Sequence, residues 1–212
     1  MTTKRRQVAI AGRVVEALTQ RAIAGAVVTI NQAPPAFQQR LRLKQLTVGD
    51  RPIEGLSQVV SAIDGCFHFL DLPVGTYTLT ASLPGTGTCY STVTTPELTV
   101  ALNSEGQAEP AIAPITLPTT ALTGTITHNK KPVCMARIQV EGSSPAVFSN
   151  AEGSYLLTGL EVWPAGEPGQ ALRPRVQVFA KGYPTLVQGV QLKQGGVTTL
   201  DFKVAETTAN SS

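Results

Sequence analysis

The stretch Asp64–Leu79, DGCFHFLDLPVGTYTL, decides the fold. Asp64 and Gly65 supply the positive-φ position of a tight turn. Phe67 and Phe69 then fall on one face of an extended segment and Cys66 and His68 on the other, as a side-chain period of two requires. Pro73 has no backbone donor and Gly75 relaxes a turn, so DLPVG breaks the strand. Tyr77, Leu79 and Ala81 resume the alternation. Two short strands in close succession, each with one apolar face, predict a meander in a half-buried antiparallel sheet.

Composition extends this reading to the whole chain. Of 212 residues 42% are hydrophobic, enough to fill substantial cores. A charged fraction of 15%, an aromatic fraction of 5%, and 19 glycines with 15 prolines suit short strands joined by turns, so an all-β protein is expected. The net charge is +3, and basic residues gather only at Lys4, Arg5 and Arg6 and at Arg40, Arg42 and Lys44. That is sparser than a nucleic-acid footprint, and no nucleic-acid partner is expected. The basic start runs into a short apolar stretch broken by Gly12 and Arg13, which fails as a signal peptide or membrane span. A cytoplasmic location without membrane insertion is expected. The odd set Cys66, Cys89 and Cys134, with no CxxC pair, fits a reducing compartment.

The opening pattern occurs twice. Gly12 matches Gly124, Gly65 in IDGCFHF matches Gly153 in AEGSYLL, and Gly85 matches Gly182. The pairs are separated by 112, 88 and 97 residues, so copy one carries 24 extra residues ahead of Gly65 and copy two 9 extra after Gly153. Loop insertions of this kind leave a β core intact, because closure entropy grows slowly with loop length.

Copy one reads G-x-V at Gly12 and Val14, AGAVV around Gly25, Ala26 and Val28, then Gly65, Phe67, Phe69, Leu72, Pro73, Gly75 and Tyr77. This order resembles the carboxypeptidase regulatory-like domain, a seven-stranded transthyretin-like β-sandwich. Copy two keeps Gly124, Ile126, Pro132, Ala136, Ile138, Gly153, Tyr155, Leu157 and Leu160, but replaces the L-P-x-G-x-Y turn by a longer segment. The resemblance implies an all-β protein of two tandem seven-stranded antiparallel β-sandwiches of transthyretin-like, Greek-key type. The expected limits are 7–118, with an insertion near 32–58, and 119–205, with a long loop at 161–175, before a disordered tail at 206–212. Such a fold does not imply peptidase activity.

Candidate chemistry is thin. Cys66 and His68 share a strand face, and His128 and Cys134 are further metal-ligand types, but the spacing lacks the close pairs of a zinc site. A partly exposed strand face is the simpler reading, and no metal or other cofactor is expected. Two histidines leave few players for acid–base work, and no G-x-S-x-G elbow, HExxH or P-loop occurs. Transthyretin-like proteins that hydrolyse 5-hydroxyisourate carry a C-terminal Tyr-Arg-Gly-Ser signature, absent here. Surface adhesins of related fold cross-link a Lys to an Asn, and neither copy has a Lys in its opening strand. No enzymatic activity and no small-molecule ligand are expected.

Function is expected where the copies differ. The insertion NQAPPAFQQRLRLKQL forms either a helix after Pro34 and Pro35, with Phe37, Leu41 and Lys44 on one face, or an alternating strand with Leu41 and Leu43 opposite Arg40, Arg42 and Lys44. It either covers its own sandwich or forms a partner-binding surface of Phe37, Arg40, Leu41, Arg42, Leu43 and Lys44. Trp163, in the Pro-Gly-rich loop of copy two, plugs a sandwich end, contacts a partner, or stacks on a sugar ring. The leading expectation is a structural adaptor that binds other protein subunits of a larger intracellular assembly, such as a phage-tail-like contractile injection particle. The alternative is a carbohydrate-binding module using the Trp163 loop.

Overall fold

A computed structural model describes residues 6–48, 55–104, 106, 108–162 and 174–205. Strands dominate, and α1 is the one helix among the described residues. The chain divides into two compact units, Met1–Gly85 with Thr92–Pro118, and Thr86–Ser91 with Thr119–Ser212.

Unit one contains β1 (Val8–Glu16), β2 (Val27–Gln32), α1 (Pro35–Val48), β3 (Gln58–Val60), β4 (Cys66–Leu70), β5 (Gly75–Ser82), β6 (Val93–Thr94), β7 (Leu98–Leu102), β8 (Ala108–Glu109) and β9 (Ala111–Leu117). One sheet has the order β4-β1-β9 and the other β3-β2-β5-β7-β8, with β6 on β5. Unit two contains β10 (Ala121–His128), β11 (Lys131–Pro132), β12 (Arg137–Val140), β13 (Ala146–Phe148), β14 (Ser154–Thr158), β15 (Arg175–Phe179), β16 (Leu186–Gly189), β17 (Val197–Thr199) and β18 (Phe202–Lys203). Its sheets run β14-β10 with β17, β18 and β11 on β10, and β13-β12-β15-β16. The two units therefore share a core topology: β4-β1-β9 matches β14-β10 with β17 and β18, and β3-β2-β5-β7 matches β13-β12-β15-β16, while β6 and β8 have no counterpart among the described residues.

The stretch at Asp64–Leu79 works differently from a meander. Its two strands join opposite sheets: β4 pairs with β1, whereas β5 pairs with β2, β6 and β7. DLPVG carries the chain from one sheet to the other. Phe67 and Phe69 enter the core from one side, and Tyr77, Leu79 and Ala81 from the other, all buried. A period of two sets the inward face but not the neighbouring strand, so a hairpin and a crossover read alike in sequence. In unit two the inward residues of both sheets likewise form one cluster, including Leu122, Ile126, Tyr155 and Phe202 from one and Ile138, Val140, Val176 and Val178 from the other.

The expectation of purely antiparallel sheets is corrected. β9 runs parallel to β1, and β17 and β18 run parallel to β10. The closing strand returns beside the opening one in the same direction, and this closure explains the first matched glycine pair. A Cβ on Gly12 would sit 2.0 Å from the Ala113 carbonyl oxygen, and one on Gly124 2.0 Å from that of Leu200. The second pair holds positive φ, 80° at Gly65 and 73° at Gly153. Each of these glycines accepts a 2.8 Å hydrogen bond at its carbonyl, from the N–H of Val14 and of Ile126 respectively.

A third repeated device involves serine. The buried Ser61 hydroxyl accepts from the Ala26 N–H at 2.9 Å and donates to the Ile23 carbonyl at 2.7 Å. The buried Ser149 hydroxyl does the same with Ala136 at 3.0 Å and Val133 at 2.7 Å. Each serine satisfies two main-chain groups that no ladder reaches.

Segment Thr86–Ser91 folds with unit two. The Thr88 hydroxyl accepts from the Val162 N–H at 2.6 Å and donates to the Val162 carbonyl at 3.0 Å. The Thr120 N–H donates to the Cys89 carbonyl at 2.8 Å.

Candidate functional site

The connection between β2 and β3 holds α1, whereas its counterpart between β12 and β13 is only Glu141–Pro145. The sequence explains why this stretch is helical. Pro35 is the first helical residue, where a missing N–H costs nothing and φ is already set. The Pro34 carbonyl accepts from the N–H groups of Phe37 and Gln38 at 3.0 and 3.2 Å. Gln, Arg, Leu and Lys then follow, all good helix formers. The strand alternative for RLRLKQL does not occur.

Three contacts hold the helix on unit one. Phe37 is only 2% exposed and meets Tyr77 edge to face, with centroids 5.9 Å apart at 80°. Pro34 lies so close to the chain that a Cβ on Gly75 would stand 2.8 Å from its ring. Arg40 Nη1 donates to the Asp71 carbonyl at 2.6 Å, and the Asp71 carboxylate accepts from the Gln7 N–H at 2.9 Å. Beneath the helix the Tyr77 hydroxyl donates to the Pro73 carbonyl at 2.7 Å. Burial pushes its pKa up to about 12, against a smaller downward pull from Arg40.

The expected partner-binding set therefore splits. Phe37 belongs to the core and Arg40 is engaged with Asp71, so neither is presented as a docking residue. Leu41 is half-buried, and Arg42, Leu43 and Lys44 are exposed. Leu43 is 68% exposed and Leu46, one turn further on, is 84% exposed. Leu46 completes the outward apolar stripe with Leu43; an i, i+3 count from Leu43 would have found it. An alternating-strand reading put Leu43 with Leu41 instead.

The other candidates do not converge. Trp163 lies outside the described residues. Cys66 and His68 point outward from β4 in unit one, while His128 and Cys134 belong to unit two, and no group of three metal-ligand types gathers among the described residues. Cys66 is a poor thiolate, because its hydrogen bond to the Asp64 carboxylate holds the thiol above its ordinary range. Burial, and then the Glu161 carboxylate, push the Cys89 thiol up as well. All three cysteines are free. No described helix is long and apolar enough to cross a membrane.

A groove of about 570 Å³ lies beside the start of the helix, lined by Asn31, Gln32, Gln38, Thr76, Thr78 and Glu97 among others. It contains one carboxylate and no histidine, cysteine or cation. This groove and the exposed Arg42, Leu43, Lys44 and Leu46 of α1 offer polar, apolar and charged contact.

No protein-family model matches the chain, and no curated protein matches it. Among solved structures, a Bacillus anthracis TIE protein is similar at 12% identity and TM-score 0.38 over 94% of this chain. A hydroxyquinol 1,2-dioxygenase from Pseudomonas putida is similar at 14% and 0.34 over 55%, and the shaft pilin SpaA of Lactobacillus rhamnosus GG at 10% and 0.40 over 97%. The chain spans 34% of the TIE protein's length, 57% of the dioxygenase's and 98% of the pilin's.

Proposed function

We propose that this chain is a non-enzymatic structural adaptor, two tandem β-sandwiches of the carboxypeptidase regulatory-like, transthyretin-like type that bind other protein subunits of a larger assembly. The observation that carries this reading is α1. One unit of a duplicated fold bears a helix where the matching connection of the other is only five residues long, and this helix is pinned by Phe37 and Arg40 while it turns Leu43 and Leu46 to solvent between Arg42 and Lys44. Exposed leucines on an anchored element are suited to helix-in-groove contact with a partner, and the flanking cations set its polarity. Burying both leucines supplies about 2–4 kcal/mol.

The seven-stranded description is supported by the strand lengths. Among the described residues of each unit, seven strands have three or more residues, and two further pairs of residues extend them. A reducing, cytoplasmic setting is supported by the three free thiols. A phage-tail-like contractile injection particle is the assembly we propose to examine first.

The test is native size analysis of source-cell lysate containing the tagged chain, with mass spectrometry of co-eluting proteins. Migration with a reproducible set of subunits, lost on the paired substitution Leu43→Asp and Leu46→Asp at unchanged melting temperature, is the expected result. Migration as a free species of the chain's own mass contradicts the reading. Removing the whole insert is a poorer experiment, since it takes Phe37 out of the core.

A further inference from the structure

We propose a second docking surface, on the outer face of the β13-β12-β15-β16 sheet, for a protein segment that presents a carboxylate between large apolar side chains. Antiparallel register places Arg137 of β12 directly between Phe148 of β13 and Phe179 of β15. Their neighbours Ile138 and Val178 point into the core, so these three side chains share the outward face. Phe148 is 57% exposed, Phe179 is 42% exposed, and Arg137 is exposed between them. With strands about 4.8 Å apart, the two phenylalanines hold the register positions on either side of Arg137.

The duplication supplies the contrast. The same three register positions in unit one are Val60, Val27 and Ser82, on β3, β2 and β5. A sheet that needed only to cover a core would be served by that aliphatic and small set. Unit two instead displays two aromatics and an arginine, the residue types that dominate binding energy at protein interfaces.

Charge selects the occupant. Among the described residues Arg137 has a neutral partner, the Gln139 Oε1, at 2.9 Å from Nη2. The carboxylate on this face, Glu141, is already engaged: Gln177 Nε2 donates to it at 2.5 Å and Arg175 lies 3.9 Å away. The next row along the sheet is neutral, with Gln139 opposite Gln177 and Ala146. One available guanidinium bordered by neutral amides suits a single carboxylate, which its planar fork can hold in two parallel hydrogen bonds. A nucleic-acid strand would need cations repeated along the backbone path. The apolar side chains of the partner would then cover the two exposed rings.

The proposal does not involve α1, so it stands or fails separately from the helix reading. The test is two-dimensional NMR of the full chain titrated with a Gly-Ser-flanked peptide containing Leu-Ser-Glu-Ser-Leu, compared with its Leu-Ser-Lys-Ser-Leu counterpart. Shifts confined to β12, β13 and β15, at least tenfold weaker binding after Arg137→Gln at unchanged melting temperature, and no binding of the lysine peptide are expected. Absence of shifts with the glutamate peptide, or equal binding of both peptides, overturns it. Tighter binding of an oligothymidylate at the same row overturns it in favour of nucleic acid. Concentration-dependent dimerisation abolished by Arg137→Gln overturns it in favour of a second copy of the chain.

Discussion

Two substitutions on one helix should have opposite consequences. Leu43→Ala with Leu46→Ala removes side chains that are 68% and 84% exposed, so the folded unit loses little packing. Alanine also has the highest helix propensity, and the melting temperature should stay or rise slightly. If partner association buries both leucines, their loss costs about 2–4 kcal/mol, roughly a 30- to 1000-fold weaker complex. Phe37→Ala removes a ring that is 2% exposed and packed edge to face on Tyr77, and should destabilise unit one by about 3–5 kcal/mol. Thermal denaturation of each variant, paired with the fraction retained in the native complex across a dilution series, separates the two effects. A leucine pair that lowers the melting temperature as much as Phe37→Ala, or that leaves the complex intact, would contradict a docking role for this face.

Ser61→Ala and Ser149→Ala should each cost about 1–3 kcal/mol in chemical denaturation, because each orphans a buried N–H and carbonyl. A near-zero effect at either would mean that water or backbone movement replaces the staple. Gly12→Ala and Gly124→Ala should both impair folding, since their new methyl groups meet carbonyl oxygens at 2.0 Å; soluble variants with native circular dichroism would disprove the close approach. Tyr77 titrates in the folded chain at about 12, above its ordinary value of 10. The stability linked to its neutral hydroxyl is therefore fully present below pH 10 and declines as pH rises toward 12. Tyr77→Phe should remove that part of the alkaline loss in pH-dependent unfolding, and an unchanged alkaline profile would contradict it.

The inward faces of the strands were legible because period two is a local property: Phe67, Phe69, Tyr77, Leu79 and Ala81 are all buried, as their alternation requires. The glycine pairs were legible as a repeat, although their causes differ, close approach of the closing strand at Gly12 and Gly124 and positive φ at Gly65 and Gly153. Sheet membership was not legible, since nothing in DLPVG tells a crossover from a hairpin. The parallel pairing of β1 with β9 was equally hidden, being a contact across a hundred residues of chain. In the insert, helix and strand patterns both fitted RLRLKQL, and the position of Pro35 agrees with the helix that forms. Phe37 could not be separated from the docking residues until Tyr77 was seen beneath it. Arg137, Phe148 and Phe179 lie far apart in sequence, and only strand register gathers them.

The most direct test of the adaptor reading is site-specific photo-crosslinking in source cells, with a benzophenone side chain placed at position 46 and, in a separate variant, at position 63, where Ile63 is also exposed on unit one but away from the helix sequence. A discrete crosslinked product with one partner subunit from position 46, absent from position 63, is the predicted result. No discrete product from position 46, or the same diffuse products from both positions, would contradict a docking role for the helix.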